Sequence, residues 1–322
     1  TIPGPRHPFA EHPMVQTLDS PFALPARVRS RRVLWQPWAY LAPTLATLVV
    51  WIYWPLIEAA YLSFFQWNML PTATPRYVGV ENYANLLTLP EMGRAMRNTV
   101  LYILGLLPLS VVLPTAVAIL TQDLSGPIRS LYRSLIFIPM IIAPIVAAVL
   151  WRWLLNEDHG LVNAGIEVLG LTPVGFLKDP SIALWTLVWI TGWKLIGFAT
   201  LLLSAANGTI DPGYVEAARM DGASRWQVIR DIRLPLLSPT ILLLTMMTVL
   251  FGAQWSFVYI NALTGGGPLQ STTNVFYLMW DYGFQSYSAG WSATAGMLTF
   301  AGFGVIAMLC LRLMKRFAVH EG

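Results

Sequence analysis

Six apolar stretches, each long enough to cross a hydrocarbon layer about 30 Å thick, dictate what this chain can fold into. They run from about Trp38 to Phe65, Thr99 to Leu120, Leu131 to Leu155, Ile182 to Ala205, Leu236 to Leu263 and Gly290 to Leu313. Inside such a layer no water pairs with backbone N–H and C=O groups, so each stretch has to close its hydrogen bonds as a helix. Composition agrees: 56% of the 322 residues are hydrophobic and 11% are charged, where a soluble domain carries about 25% charge. The expected fold class is an all-α integral membrane protein with about six transmembrane helices. Pro55, Pro108, Pro114, Pro139 and Pro144 fall inside the stretches. Bundled membrane helices tolerate proline, and kinks are expected there.

The charges follow a membrane topology. Placing the N-terminus inside puts fourteen Lys and Arg on the inner segments, among them Arg27, Arg29, Arg31, Arg32, Arg129 and Arg133. Four remain on the outer segments: Arg76, Arg94, Arg97 and Lys178. The excess of basic residues marks the cytoplasmic side, so both termini are expected there. A basic protein can also bind nucleic acid, but this distribution follows the spans and argues against it. Residues 1–36 are Pro-rich and polar and read as a disordered cytoplasmic tail. Residues 37–316 form the membrane domain and 317–322 a short cytoplasmic end. A secretory signal peptide fits poorly, because the first apolar run is too long for one. The single cysteine, Cys310, lies in an apolar run and rules out an intramolecular disulfide.

One polar island interrupts this pattern on the inner side, Asp211 to Pro235, DPGYVEAARMDGASRWQVIRDIRLP. Asp211 followed by Pro212 is a helix start, since the carboxylate accepts first-turn N–H groups and proline needs no partner there. A helix over Tyr214 to Met220 would then stop at Asp221-Gly222. Ser224 with Gln227 has the form of a capping box opening a second short helix to about Ile232, closed by Pro235.

Within the island, Glu216-Ala217-Ala218, three residues, Gly222, nine residues and Ile232-Arg233-Leu234-Pro235 resemble the EAA signature of bacterial ABC importer permeases. Weaker motifs place the resemblance in the carbohydrate-uptake branch, the maltose and glycerol-3-phosphate type with the type I fold. They are Ser63-Phe64, Gly79-Val80-Glu81-Asn82-Tyr83, Gly265-Gly266-Gly267-Pro268 and Ala293-Thr294-Ala295. The resemblance covers residues 37–316. It implies that the island is the coupling segment, inserting into a cleft of an ATP-hydrolysing partner through Glu216, Ala217, Ala218, Asp221, Gly222, Ile232, Leu234 and Pro235. It further implies a bacterial inner-membrane location, a second permease subunit, an ATPase pair and an external solute-binding protein. Gly265, Gly266, Gly267 and Pro268 would meet that binding protein; a plain long turn is the other reading.

No phosphate-cradling G-x-x-x-x-G-K-[ST] loop, H-E-x-x-H, C-x-x-C or G-x-S-x-G occurs, so catalysis and metal binding by this chain are not expected. ATP and magnesium would belong to the partner ATPase. Polar residues inside spans mark a path or a site. Lys194, with Phe198 one turn on, and Phe251, Gln254, Trp255, Ser256 and Tyr259 in the fifth span offer the rings and hydrogen-bonding groups that a sugar-like solute needs. Lys194 would line that path, or pair with a carboxylate of a neighbouring helix. Glu58, in the first span, is read as snorkelling to the interface. The function expected is ATP-driven import of a sugar or sugar-like solute, whether oligosaccharide, polyol, glycerophosphate or sulfo-sugar; the alternative is a self-sufficient secondary carrier or channel.

Overall fold

A computed structural model describes residues 31–317, apart from residues 71, 123 and 125. Most of the expected terminal tails thus lies outside the described residues. Residues 31–36, placed in the N-terminal tail on composition, are helical and run into the first span. The chain divides at Pro55 into two units, residues 1–55 and 56–322.

The spans are α1 (Pro37–Leu62), α3 (Pro90–Leu120), the pair α4 (Gly126–Ile141) and α5 (Pro144–Leu154), α7 (Ala183–Gly208), α9 (Arg225–Thr264) and α11 (Ala289–Phe317). Among the described residues five helices are long and apolar enough to cross, or six if the bent pair is one span. Four shorter helices lie between them: α2 (Glu81–Thr88), α6 (Leu161–Val168), α8 (Pro212–Met220) and α10 (Val275–Trp280). Two two-residue strands, Phe65–Gln66 and Arg76–Tyr77, pair antiparallel with Phe65 opposite Tyr77.

Proline chemistry decides how the spans run, in two different ways. Three times a wide helical turn ends two residues before a proline: Val49–Tyr53 before Pro55, Pro108–Val112 before Pro114, and Ile229–Arg233 before Pro235. At each, the N–H after the turn reaches the carbonyl five residues back, Leu234 to Ile229 for example. A proline ring clashes with the carbonyl four residues earlier and offers it no donor. One extra residue in the turn relieves both faults, so these helices pass through without breaking. Pro235 therefore does not close a short helix as expected; α9 continues from Arg225 through it to Thr264. The opposite outcome occurs at Pro144. Ala143 precedes it and is pushed into the extended region (φ −57°, ψ 139°), as residues before proline are. The stretch expected as one span from Leu131 to Leu155 is consequently two helices at 98°.

The core lies around α7, 61% of whose apolar window is buried. Lipid tails are as apolar as leucine, so close packing and small residues rather than water exclusion hold such helices together. A Cβ on Gly197 would stand 2.0 Å from the Ile136 carbonyl of α4, so that contact requires glycine. Tyr102, Leu106, Ala147, Leu187, Ile190, Tyr259 and Ile260 fill the space between α3, α5, α7 and α9.

The scattered motifs of the sequence meet at one buried node. The Asn82 amide donates to the carbonyls of Ser63 and Phe65, both at 2.9 Å. The Ser63 hydroxyl pairs with Tyr83 Oη at 2.7 Å, and Thr294 Oγ1 donates to the Ser63 carbonyl at 3.1 Å. Ser63 and Thr294 are wholly buried. The chain leaving α1, the start of α2 and the last span are thus joined by side chains satisfying backbone that has left a helix.

Candidate functional site

The polar island folds from local rules. Asp211 Oδ1 accepts from the Gly213 N–H at 2.9 Å, with Pro212 in the first helical position of α8. Gly222 sits at φ +84°, a left-handed conformation that costs a residue with a Cβ about 1–2 kcal/mol. Around it the Ala223 N–H reaches the Ala218 carbonyl at 2.9 Å and the Gly222 N–H reaches the Arg219 carbonyl at 3.1 Å, the double closure that ends a helix at glycine. The Ser224–Gln227 capping box is formed in both directions, at 2.7 and 3.3 Å. Val215 and Val228 are buried beneath the turn, while Tyr214, Met220 and Trp226 are exposed, Met220 by 84%. Glu216, Ala217, Asp221 and Gly222 are exposed; Ala218, Ile232, Leu234 and Pro235 are half-buried.

A chain of three polar side chains ties this knob to the spans. Arg233 Nη1 donates to Asn207 Oδ1 at 3.2 Å, and Asn207 Nδ2 donates to Gln122 Oε1 at 3.1 Å. Asn207 ends α7 and Gln122 follows α3. A cavity of about 310 Å³ beside them is lined by Arg133, Ser204, Glu216 and Arg219 among others. Sequence reasoning did not single out Asn207 or Gln122. The available signal was their place at the ends of spans, where an amide has carbonyls and cations within reach.

The residues expected on a substrate path are dispersed. Phe198 and Trp255 do come together, lining an almost wholly apolar cavity of about 220 Å³ with Met140, Met247, Ser110 and Thr248. The last two occupy each other, Thr248 Oγ1 donating to Ser110 Oγ at 3.0 Å. Gln254 is exposed. Ser256 is wholly buried and accepts from Asn274 Nδ2 at 2.6 Å, and Tyr259 is wholly buried in the core. Ser256 and Tyr259 thus face the protein interior rather than a cavity. The Phe251 side chain lies outside the described residues.

Lys194 is 1% exposed. Among the described residues it pairs with no carboxylate, the partner weighed for it above. Its ammonium donates to the Pro139 carbonyl at 3.1 Å and to the Ile142 carbonyl, and stands 5.9 Å from the centre of the Trp255 ring. The Gly-Gly-Gly-Pro stretch also has structural duties. Gly266 (φ +80°) is buried, and a Cβ there would lie 2.6 Å from Thr273 Oγ1. Thr272 and Thr273 donate to the Gly267 and Gly266 carbonyls at 2.7 and 3.0 Å. Gly265 is exposed; Gly267 and Pro268 are half-buried.

Residues 111–318, which include the island, match the family model described as binding-protein-dependent transport system inner membrane component. This chain belongs to that family. Among related permeases, one for uptake of osmoprotective compounds in Synechocystis is 30% identical over 289 residues, 88% of this chain and 99% of the relative. A trehalose/maltose transport permease of Thermococcus litoralis is 32% identical over 253 residues, 76% of this chain and 84% of the relative. One chain of the crystal structure of a bacterial ABC transporter involved in import of the acidic polysaccharide alginate superposes with a TM-score of 0.79 at 24% identity, covering 89% of this permease chain and 98% of that chain. At that identity the likeness carries the fold: a type I importer permease. The permease is a transport subunit and not an enzyme.

Proposed function

We propose that this permease is one membrane-spanning subunit of an ATP-driven bacterial importer for a sugar or sugar-like solute. Its partners are a second permease, a pair of ATPases that hold ATP and magnesium, and an external solute-binding protein. The termini and the island face the cytoplasm, where ATP is. The observation that carries this reading is the island's construction. Two capped helices present Tyr214, Met220 and Trp226 outward, and Arg233, Asn207 and Gln122 tie them to the ends of α7 and α3. Such a knob hands a partner's movement to two spans at once, which is what alternating access driven from outside the membrane domain needs.

The substrate path runs along α7 and α9, with the Phe198 and Trp255 rings giving apolar faces to a sugar and Gln254 a hydrogen-bonding edge. The exposed backbone at Gly265, with Pro268, contributes to docking of the binding protein. Sugar-like substrates are favoured because the Thermococcus litoralis relative is described as a trehalose/maltose transport permease and the lining of the Phe198–Trp255 cavity holds no charged group. The test is reconstitution of the four-part complex in proteoliposomes, with ATP hydrolysis and uptake measured together. Replacing Gly222 by valine is expected to leave ATP hydrolysis measurable and to reduce uptake per ATP by at least about tenfold, the strained turn shifting the knob. Wild-type uptake by Gly222→Val, or uptake by this chain without any ATPase, would overturn the assignment and favour a self-sufficient carrier.

A further inference from the structure

The break between α4 and α5 leaves a defect in a place that has no water. In an unbroken helix the Pro139 carbonyl would accept from the N–H of Ala143, four residues on. The helix ends at Ile141 and the Ala143 N–H does not reach that carbonyl; Ala143 itself leads in extended backbone into Pro144. The Ile142 carbonyl lies in the bend itself. Both sit at the C-terminal end of α4, where the unpaired carbonyls of a helix concentrate negative partial charge. The group that meets them comes from a different span: the Lys194 ammonium of α7, buried and bonded to both. The same ammonium faces the ring of Trp255 on α9, an arrangement that favours a cation over the ring. Met140, one residue from the capped carbonyl, and Trp255 stand on the wall of one cavity with Phe198.

From this we infer that Lys194 is a positioning residue of the permease. It supplies the hydrogen-bond donor that the break ahead of Pro144 takes from α4, fixes the break against α7 and α9, and thereby sets the spacing of Met140, Phe198 and Trp255 without itself touching the solute. The functional half of the inference rests on reading that cavity as part of the substrate path; the cap itself does not. A lysine here serves where an apolar residue would leave two carbonyls unpaired, and where a carboxylate partner would leave them unpaired as well. Its charge is held by backbone dipoles and a ring, so it is not offered to a ligand. An anionic solute is therefore not selected by Lys194.

The experiment compares Lys194→Met and Lys194→Arg in the reconstituted complex, by hydrogen exchange of the peptide covering residues 139–147 without substrate and by ATP-driven uptake. In Lys194→Met, exchange over 139–147 is expected to rise about tenfold, the factor matching one lost charge-assisted hydrogen bond, and uptake to fall by a similar factor. In Lys194→Arg, whose guanidinium keeps donors at the break, protection is expected within about twofold of the original. Unchanged exchange in Lys194→Met overturns the cap, and lost uptake with unchanged exchange assigns Lys194 to direct solute contact instead. Raised exchange with unchanged uptake keeps the cap and overturns its role in the path. If Lys194→Met does not assemble, Lys194→Arg decides alone: retained protection supports the cap and lost protection overturns it. Should the unaltered complex import nothing, the proposed function fails while the exchange measurement still reads the cap.

Discussion

The Asn82 amide holds two carbonyls, those of Ser63 and Phe65, at a place where the chain has left one helix and not yet entered the next. Asn82 is 3% exposed, so no water replaces it. Asn82→Ala is expected to destabilise the protein by about 1–3 kcal/mol, the cost of leaving buried acceptors unmade. The thermal midpoint in detergent reads it, and Asn82→Ala unfolding at the original temperature would show that the node carries no weight. Asp179 gives a pH-dependent case at the entry to α7. Its Oδ1 accepts from the Ser181 hydroxyl at 2.7 Å and the Ser181 N–H at 2.8 Å, and these bonds hold its carboxyl below the ordinary value of 3.8. A carboxylate with a lowered folded pKa stabilises above its unfolded value and loses that contribution as pH falls through the folded one. The difference in thermal midpoint between the original and Asp179→Ala should thus be constant above pH 3.8 and vanish below it. A difference that grows on acidification would reverse the assignment.

Among elements, four prolines of the spans separate into two kinds by what precedes them. Pro55, Pro114 and Pro235 each follow a wide turn, while Pro144, like Pro90 and Pro212 at helix starts, follows a residue in extended backbone. The wide turn Ile229–Arg233 inserts one residue between the knob and the membrane part of α9, and one residue is about 100° of helix rotation. Pro235→Ala removes the reason for that turn. The expected outcome is a protein at least as stable as the original whose uptake per ATP falls several-fold, because the knob is rotated relative to α9; unchanged coupling would show the turn to be incidental. Asn207→Ala interrupts the link from Arg233 to Gln122 at its middle. It is expected to lower uptake per ATP while leaving assembly with the ATPase intact, since Tyr214, Met220 and Trp226 are untouched. Copurification with the ATPase and the uptake ratio measure the two separately.

At the scale of the molecule, orientation is open to direct measurement. Cys310 is the only cysteine, so a serine there gives a background for single labels. In membranes without the ATPase, Met220→Cys should react with an impermeant thiol reagent only from the cytoplasmic side, and Thr74→Cys only from the other. Both positions are exposed; the swapped pattern would invert the topology, and reaction of the two from one side would refute it. Much of this architecture was legible beforehand. The island's start at Asp211, its glycine stop and its capping box follow from local chemistry, and all three formed as read. What the sequence did not show was the fate of each proline, because the same ring is absorbed by a wide turn or breaks a helix depending on which neighbour can satisfy the freed carbonyls. Lys194 illustrates this: a cation in an apolar run signals a partner, but whether that partner is a carboxylate, a solute or backbone depends on α4, over 50 positions away in sequence.

The sequence by itself determined that this chain is a helical membrane protein with a polar, doubly capped knob between two spans, because apolar length and cap residues act within a few residues of one another. Only the tertiary structure decided which polar side chains serve the backbone. Asn82, Lys194 and Thr294 are bonded to carbonyls distant in sequence, and in a medium without water such pairings depend on which backbone atoms the packed helices leave exposed to one another.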